Sequence, residues 1–201
     1  KIPKEIFMLS IVKSMTLHGL EGFIVDVQVD VAGGLPCWEI VGLPDISIRE
    51  SKERVRTAIK NSGYEFPSRR IVINLAPATI KKVGSAFDLP IAVAILLATD
   101  NINEFDFENV AFVGELSLDG NVHSINGILP MCIEAKKLGI KEIIVPKENA
   151  KEASIVDGIS VIPVSSLNQV VAYLNKSIKI NPEKFNSNEL INSNQVYNLD
   201  F

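Results

Sequence analysis

The chain has 201 residues, 47% of them hydrophobic, 22% charged and 6% aromatic, with a net charge of −4. Such a length and apolar content suit one α/β domain with a substantial core, and the negative balance excludes a surface built throughout for a polyanion. The longest apolar run, residues 89–98, is about half of what a membrane span needs, so no membrane is expected as a partner. Cys37 and Cys132 lie far apart, neither in a Cys-x-x-Cys pair. They read as small core residues of a reduced, cytoplasmic protein. His18 and His123 stand alone, which leaves no expected metal site. The first seven residues, Lys-Ile-Pro-Lys-Glu-Ile-Phe, carry no signal-peptide pattern and read as upstream or cloning-derived residues before a natural start at Met8.

Charge is unevenly spread. Between Asp45 and Lys82 nine Lys/Arg face four acids, a net of +5, which leaves −9 for the remainder.

In chain order, residues 10–17 and 23–31 are β-branched around a Gly19–Gly22 turn and predict a hairpin. Within the second strand Asp26, Gln28 and Asp30 alternate with valines, so one face is buried and one solvated. Residues 38–41 predict a third short strand, with Trp38 in the core. Asp45 or Ser47 is placed to cap a helix over 48–62, with Ile48, Val55, Ala58 and Ile59 inside and Gly63 at its end. Residues 71–75 form a buried strand stopped by Ala76-Pro77. A loop with Lys81, Lys82 and Gly84 leads into an apolar helix over 89–98, with Asp88 as N-cap and Pro90 in its first turn. After a polar loop over 101–109 come strands at 110–118 and 122–125, and a helix opened by Asn126 or Ser124 and running to Leu138. A strand at 141–145, a short helix at 148–156, a strand at 159–164 and a helix at 167–174 capped by Ser165 complete the order. The alternation in the second half implies parallel pairing, and the hairpin implies an antiparallel portion: a mixed sheet with packed helices. From Lys179 the chain is Asn/Ser-rich and reads as a linker or tail.

No Gly-x4-Gly-Lys-Ser/Thr run exists, so nucleotide binding through a P-loop is excluded for this stretch. Candidate contact residues are basic. Arg49, Lys52 and Arg56 sit at i, i+3 and i+7 and share a helix face, while Arg69, Arg70, Lys81 and Lys82 flank the central strand at opposite ends. Three readings stand side by side: a solvated face partly neutralised by Glu50 and Glu53, a surface docking a neighbouring subunit, or contact with the DNA backbone. Aromatic residues do not interleave with these charges along the chain, so no stacking platform for single strands is expected.

The run Val113-Gly114-Glu115-Leu116-Ser117-Leu118-Asp119-Gly120, with Gly127, Ala135-Lys136-Lys137-Leu138-Gly139 and Ile144-Val145-Pro146-Lys147-Glu148-Asn149, resembles the proteolytic domain of Lon. That resemblance puts the Lon serine position on Ala86, in Gly84-Ser85-Ala86, and the Lon lysine position on Leu129. Neither side chain can be a nucleophile or its base, and Ser85 is one residue away, about 100° around a helix. No catalytic residue is expected. Further motifs resemble the N-terminal domain of the ComM/YifB family, often labelled magnesium chelatase-like: Val41-Gly42-Leu43-Pro44-Asp45, Glu53-Arg54-Val55-Arg56-Thr57-Ala58-Ile59, Asn61-Ser62-Gly63-Tyr64, Ile73-Asn74-Leu75-Ala76-Pro77-Ala78 and Phe87-Asp88-Leu89-Pro90-Ile91-Ala92.

This resemblance implies a Lon proteolytic-domain-like fold over residues 8–178, without proteolysis, and a linker over 179–201 towards a AAA+ ATPase, since Asn198-Leu199-Asp200-Phe201 resembles the segment leading into one. The family is associated with DNA branch migration in transformation and recombination. The implied role is a non-catalytic module serving assembly or DNA guidance. The implied partners are its own AAA+ module, neighbouring subunits of a hexamer, and DNA; ATP and magnesium belong to the ATPase, with no cofactor in this stretch. The alternatives are an active Ser-Lys peptidase, which a serine at position 86 and a lysine at 129 would support, and a small-ligand regulatory domain with a deep closed pocket near Gly84 and Gly127.

Overall fold

A hairpin of β-branched residues starts the fold. The computed structural model describes residues 8–19, 21–103 and 105–185; residues 1–7, and 186–201 of the expected linker, lie outside them. Strand β1 (Met8–His18) pairs antiparallel with β2 (Glu21–Ala32), with Val12 opposite Val27. Val25, Val27, Val29 and Val31 are buried and their polar neighbours on the other face half-buried, as the alternation predicts. Strand β3 (Cys37–Val41) is the expected third strand. Helix α1 (Ile46–Asn61) starts two residues earlier than expected, because Asp45 rather than Ser47 is the cap: its Oδ1 accepts from the Ile48 N–H at 2.9 Å. Strand β4 (Arg70–Ala76) follows, then a 3-10 turn over Ser85–Phe87 and helix α2 (Asp88–Ala98).

Beyond α2 the single strand expected over 110–118 is two. Strand β5 (Val110–Phe112) stays in the main sheet, and β6 (Glu115–Leu116) leaves it to pair antiparallel with β7 (Val122–His123). The break is at Gly114, whose N–H and C=O are both claimed by the turn into α2, through Ala86 O and the Leu89 N–H, each at 3.0 Å. A Cβ at Gly114 would stand 2.8 Å from Val122 Cγ1. Helix α3 (Ile128–Lys137) begins after Gly127 in the left-handed region, with no side-chain cap, so neither Asn126 nor Ser124 opens it. Strand β8 (Glu142–Pro146), helix α4 (Lys147–Ala153), strand β9 (Ser160–Val164) and helix α5 (Leu167–Leu174) close the order. Ser166, not Ser165, caps α5. Residues 179–185 include Glu183, whose N–H donates to Val161 O on β9 at 2.8 Å.

The main sheet runs β3-β4-β2-β1-β5-β8-β9. Only the pairs β4–β2 and β2–β1 are antiparallel; the rest are parallel. Helices α1, α2 and α5 share one apolar core with one face of this sheet, and α3 and α4 share another core with the opposite face. The mixed α/β architecture expected from the sequence is therefore present. Cys132 is buried, but Cys37 is exposed, at the start of the edge strand β3. Among the described residues no helix is long and apolar enough to cross a membrane.

Two polar contacts hold this arrangement. Asp88 does not cap α2; it is fully buried, and Arg54 on α1 reaches it through Nε at 2.7 Å and Nη2 at 3.1 Å. Its Oδ2 also accepts the Leu116 N–H at 3.2 Å. Burial pushes the Asp88 carboxyl up to about 6, with Arg54 and the Leu116 amide pulling the other way, while the same pair raises Arg54. The cost of burial falls on the enclosed carboxylate, because the Arg54 side chain is 24% exposed. The second contact is Lys82, fully buried, which donates through Nζ to Gly42 O at 3.0 Å and to Pro77 O. Burial lowers its pKa. The Lys82 backbone bonds Leu43 O and the Asp45 N–H, which joins the turn before α1 to the loop after β4. At Gly42, φ is +98° and a Cβ would lie 2.2 Å from Leu75 O, so only glycine lets the two segments approach.

Asp88→Ala is expected to lower stability at pH 7 by about 2 kcal/mol, by leaving the buried Leu116 N–H and the Arg54 guanidinium without their acceptor. The wild type takes up a proton in the folded state between about pH 6 and its ordinary value of 3.8. Stability from this group is thus present at low pH and lost as the pH rises through about 6. In urea unfolding, the gap between wild type and variant therefore widens on acidification across that window; a constant or narrowing gap contradicts the assignment. Lys82→Ala should cost about 3 kcal/mol, from a cavity and two carbonyls left unpaired, while Lys81→Ala at the exposed neighbour stays within about 0.5 kcal/mol. Equal unfolding midpoints for the two variants would contradict the burial of Lys82.

Candidate functional site

The positions that the Lon resemblance points to carry no catalytic group. Gly84, at φ +89°, turns the chain into the 3-10 turn, and its N–H donates to Asp45 Oδ2 at 3.0 Å. Ala86 is buried just before α2. Ser85 is the nearest hydroxyl, and it donates to Glu115 Oε2. Leu129 is half-buried in the first turn of α3. A serine hydroxyl held by a carboxylate, with an alanine and a leucine at the two dyad positions, supplies neither a nucleophile nor a lysine base. Among the described residues no group of three or more His, Cys, Asp or Glu side chains is placed to hold a metal ion, and His18 and His123 are exposed.

The basic residues divide. Arg49 is exposed on α1, Arg70 is exposed where β4 begins, and Lys81 is exposed in the loop after β4. Lys82 is buried and is no part of a contact surface, because its ammonium is spent on the Gly42 and Pro77 carbonyls. Lys52 is half-buried and donates to Trp38 O, which ties α1 to the edge strand β3. Arg56 lies over the Phe66 ring, with Cζ 5.7 Å from its centroid. Arg56 and Arg69 thus come together, while Arg49, Arg70 and Lys81 are not linked to them by any described contact.

What joins Arg56 to Arg69 is the end of α1. Ser62 is the C-cap, Gly63 takes φ +89°, its N–H bonds Lys60 O at 3.0 Å, and the Tyr64 N–H bonds Ile59 O at 3.2 Å. This paired pattern is a Schellman motif, and it reverses the chain. The reversal brings Phe66 onto Trp38, with ring centroids 5.0 Å apart and planes 29° from parallel. A cleft of about 250 Å³ lies there, lined by Trp38, Arg56, Lys60, Phe66 and Arg69 among others. A larger one of about 700 Å³ shares the wall from Phe66 to Arg69 and continues to Ala98–Asn101. Neither cleft includes Gly84 or Gly127, where the alternative of a small-ligand regulatory domain would place its pocket.

The structure thus corrects the sequence on one point. Aromatic rings do interleave with the basic residues, and they do so in space: Trp38 and Phe66 stand 28 positions apart in sequence, with Arg56 and Lys60 between them. Trp38 is half-buried on an edge strand rather than enclosed in the core, and its Nε1 is buried with no acceptor. Sequence reasoning missed Lys60 and Phe66. The available signals were the i, i+4 spacing of Arg56 and Lys60 and the Gly63-Tyr64 helix stop.

Residues 27–149 match the family model described as "Subunit ChlI of Mg-chelatase". YifB of Escherichia coli is 39% identical over 166 residues, covering 83% of this chain and 33% of that protein. Competence protein ComM of Haemophilus influenzae is 37% identical over 172 residues, 86% of this chain and 34% of its own length. Lon protease 2 of Bacillus subtilis is 29% identical over 193 residues, 87% of this chain and 34% of that protein. The chain therefore spans about a third of the length of the curated relatives it matches. With the mixed sheet and packed helices above, these likenesses identify a Lon-like fold, and the chain belongs to the magnesium chelatase-like ChlI family of AAA+ type, together with ComM and YifB.

Proposed function

We propose that this chain is the non-catalytic N-terminal module of a ComM-like, cytoplasmic AAA+ ATPase that acts on branched DNA in transformation and recombination. It serves either hexamer assembly or the guidance of DNA to the ATPase. ATP and magnesium act in the remainder of that protein, and the work is done there. The observation that carries this reading is the state of the dyad positions: a Lon-like scaffold with Ala86 and Leu129 where the chemistry would be, and with Ser85 engaged by Glu115. Such a scaffold has been kept for its surfaces. Of those surfaces, the one formed by α1 and the two ends of β4 is basic in a chain that is acidic overall. A basic region of this kind binds a polyanion by releasing its counterions, or docks an acidic partner.

The test is binding of single-stranded and branched DNA to the 201-residue chain across a salt series. A variant with Arg49→Glu, Arg56→Glu and Arg70→Glu is measured beside it, with Lys52 and Lys82 left alone because they hold structure. Guidance predicts binding that weakens steeply with salt and is at least about tenfold weaker in the variant. No binding at low salt, with the chain folded, removes DNA guidance and leaves assembly. A peptide substrate should show no turnover above background; turnover would overturn the non-catalytic reading.

A further inference from the structure

Three cations in one cleft without a carboxylate are an unbalanced arrangement. Arg56, Lys60 and Arg69 line the 250 Å³ cleft, no acidic residue lines it, and none of the three forms an ion pair among the described residues. Surface guanidinium and ammonium groups usually find carboxylate neighbours; here they share their space with a stacked aromatic pair instead. The aromatic wall is held in place. Trp38 lies on β3, paired with Ile71 of β4, its carbonyl is fixed by Lys52, and Phe66 is set by the chain reversal at Gly63. The indole nitrogen of Trp38 is buried and has no hydrogen-bond partner among the described residues. A ring system presented beside unpaired cations matches a ligand that is itself flat at one end and anionic at the other. One nucleotide unit has that form.

We infer that this cleft is a binding site for single-stranded DNA, taking an unpaired base against the layered wall of Trp38, Phe66 and Arg56, with the flanking phosphates on Lys60 and Arg69. The inference rests on the DNA-guidance reading above and deepens it by naming the strand state and the residues. The cleft is too small to admit a duplex, in which bases are already stacked and shielded, whereas every unpaired base offers a π-face. A strand extended along the 64–69 wall would also meet the larger cleft, which Arg69 lines as well.

The chain carries its own reporters. Trp38 is the sole tryptophan, so its emission reads this cleft alone. Cys37 is exposed and lines the cleft, while Cys132 is buried and burial, the larger effect, together with Glu152 pushes its thiol up to about 12. Alkylation near neutral pH therefore reads Cys37. Titration of the 201-residue chain with an oligothymidylate of about ten nucleotides should quench Trp38 and slow alkylation of Cys37 in parallel. The slope of log affinity against log salt should be about −1.4, for two phosphate contacts on a single strand, and Arg69→Gln should reduce it by about 0.7. Phe66→Leu should weaken binding about tenfold. Arg69 is exposed, so its variant keeps the test valid should Phe66→Leu fail to fold.

Binding of DNA with neither quenching nor Cys37 protection would overturn this site and leave DNA guidance standing, with contact on another face. Absence of any DNA binding would end both. A duplex binding as tightly as the single strand would refute base stacking. Thymidine monophosphate binding as tightly as the oligonucleotide would overturn the strand assignment in favour of a free nucleotide.

Discussion

The Arg54–Asp88 pair is the constraint on which the rest of this structure depends. It joins the middle of α1 to the first residue of α2, and through the Leu116 amide it also fixes the small β6–β7 hairpin. Three elements distant in sequence thus meet on one buried carboxylate. An isolated carboxylate so enclosed would be costly; three N–H donors make it tolerable, two of them from one charged guanidinium. With α1 fixed in this way, Arg49, Arg56 and Lys60 face outward, and its C-terminal end delivers residues 64–69 to the edge of the sheet.

Asp88 also stands two residues after Ala86, at the start of the helix where Lon relatives would present a serine. In this chain that helix start is occupied by structural bonds: Asp88 to Arg54, Ser85 to Glu115, and the Gly84 amide to Asp45. A dyad serine donates its hydroxyl to a lysine base, and here Ala86 and Leu129 stand at those two positions, while the polar atoms of the loop hold α1 and α2 together.

Much of the fold was legible because local signals agreed with tertiary ones. Valines alternating with Asp26, Gln28 and Asp30 describe a half-buried strand whatever covers them, and Asp45 before an amphipathic run describes a helix start. The failures share a cause. Asp88 has the right type and position for a cap, yet a guanidinium 34 residues away outcompetes the local backbone. Residues 110–118 read as one strand, yet Gly114 is held by the turn into α2, which no window around it contains. Lys82 carries a charge that argues for solvent, and only the juxtaposition of the Gly42 and Pro77 carbonyls makes a buried ammonium tolerable. Cys37 and Trp38 read as core by type, but an edge strand has a neighbour on one side only.

The basic candidates were visible as residues but not as a site, for the same reason. Helical spacing links Arg49, Lys52 and Arg56, and it says nothing of Phe66, which reaches Arg56 only because Gly63 reverses the chain. The two ends of α1 have opposite assignments. At its N-terminus Asp45 satisfies backbone donors and meets the Gly84 loop, the side of the vanished dyad. At its C-terminus, about 16 Å further along the helix axis by its rise per residue, stand Arg56 and Lys60. Lys60 lies in the last turn, where the negative end of the helix dipole favours positive charge. The helix end thus offsets part of the repulsion among the three cleft cations, so they can remain without carboxylate partners. The loop that holds Ala86 and the proposed strand-binding cleft thus lie at opposite ends of one helix, so a change at one need not disturb the other.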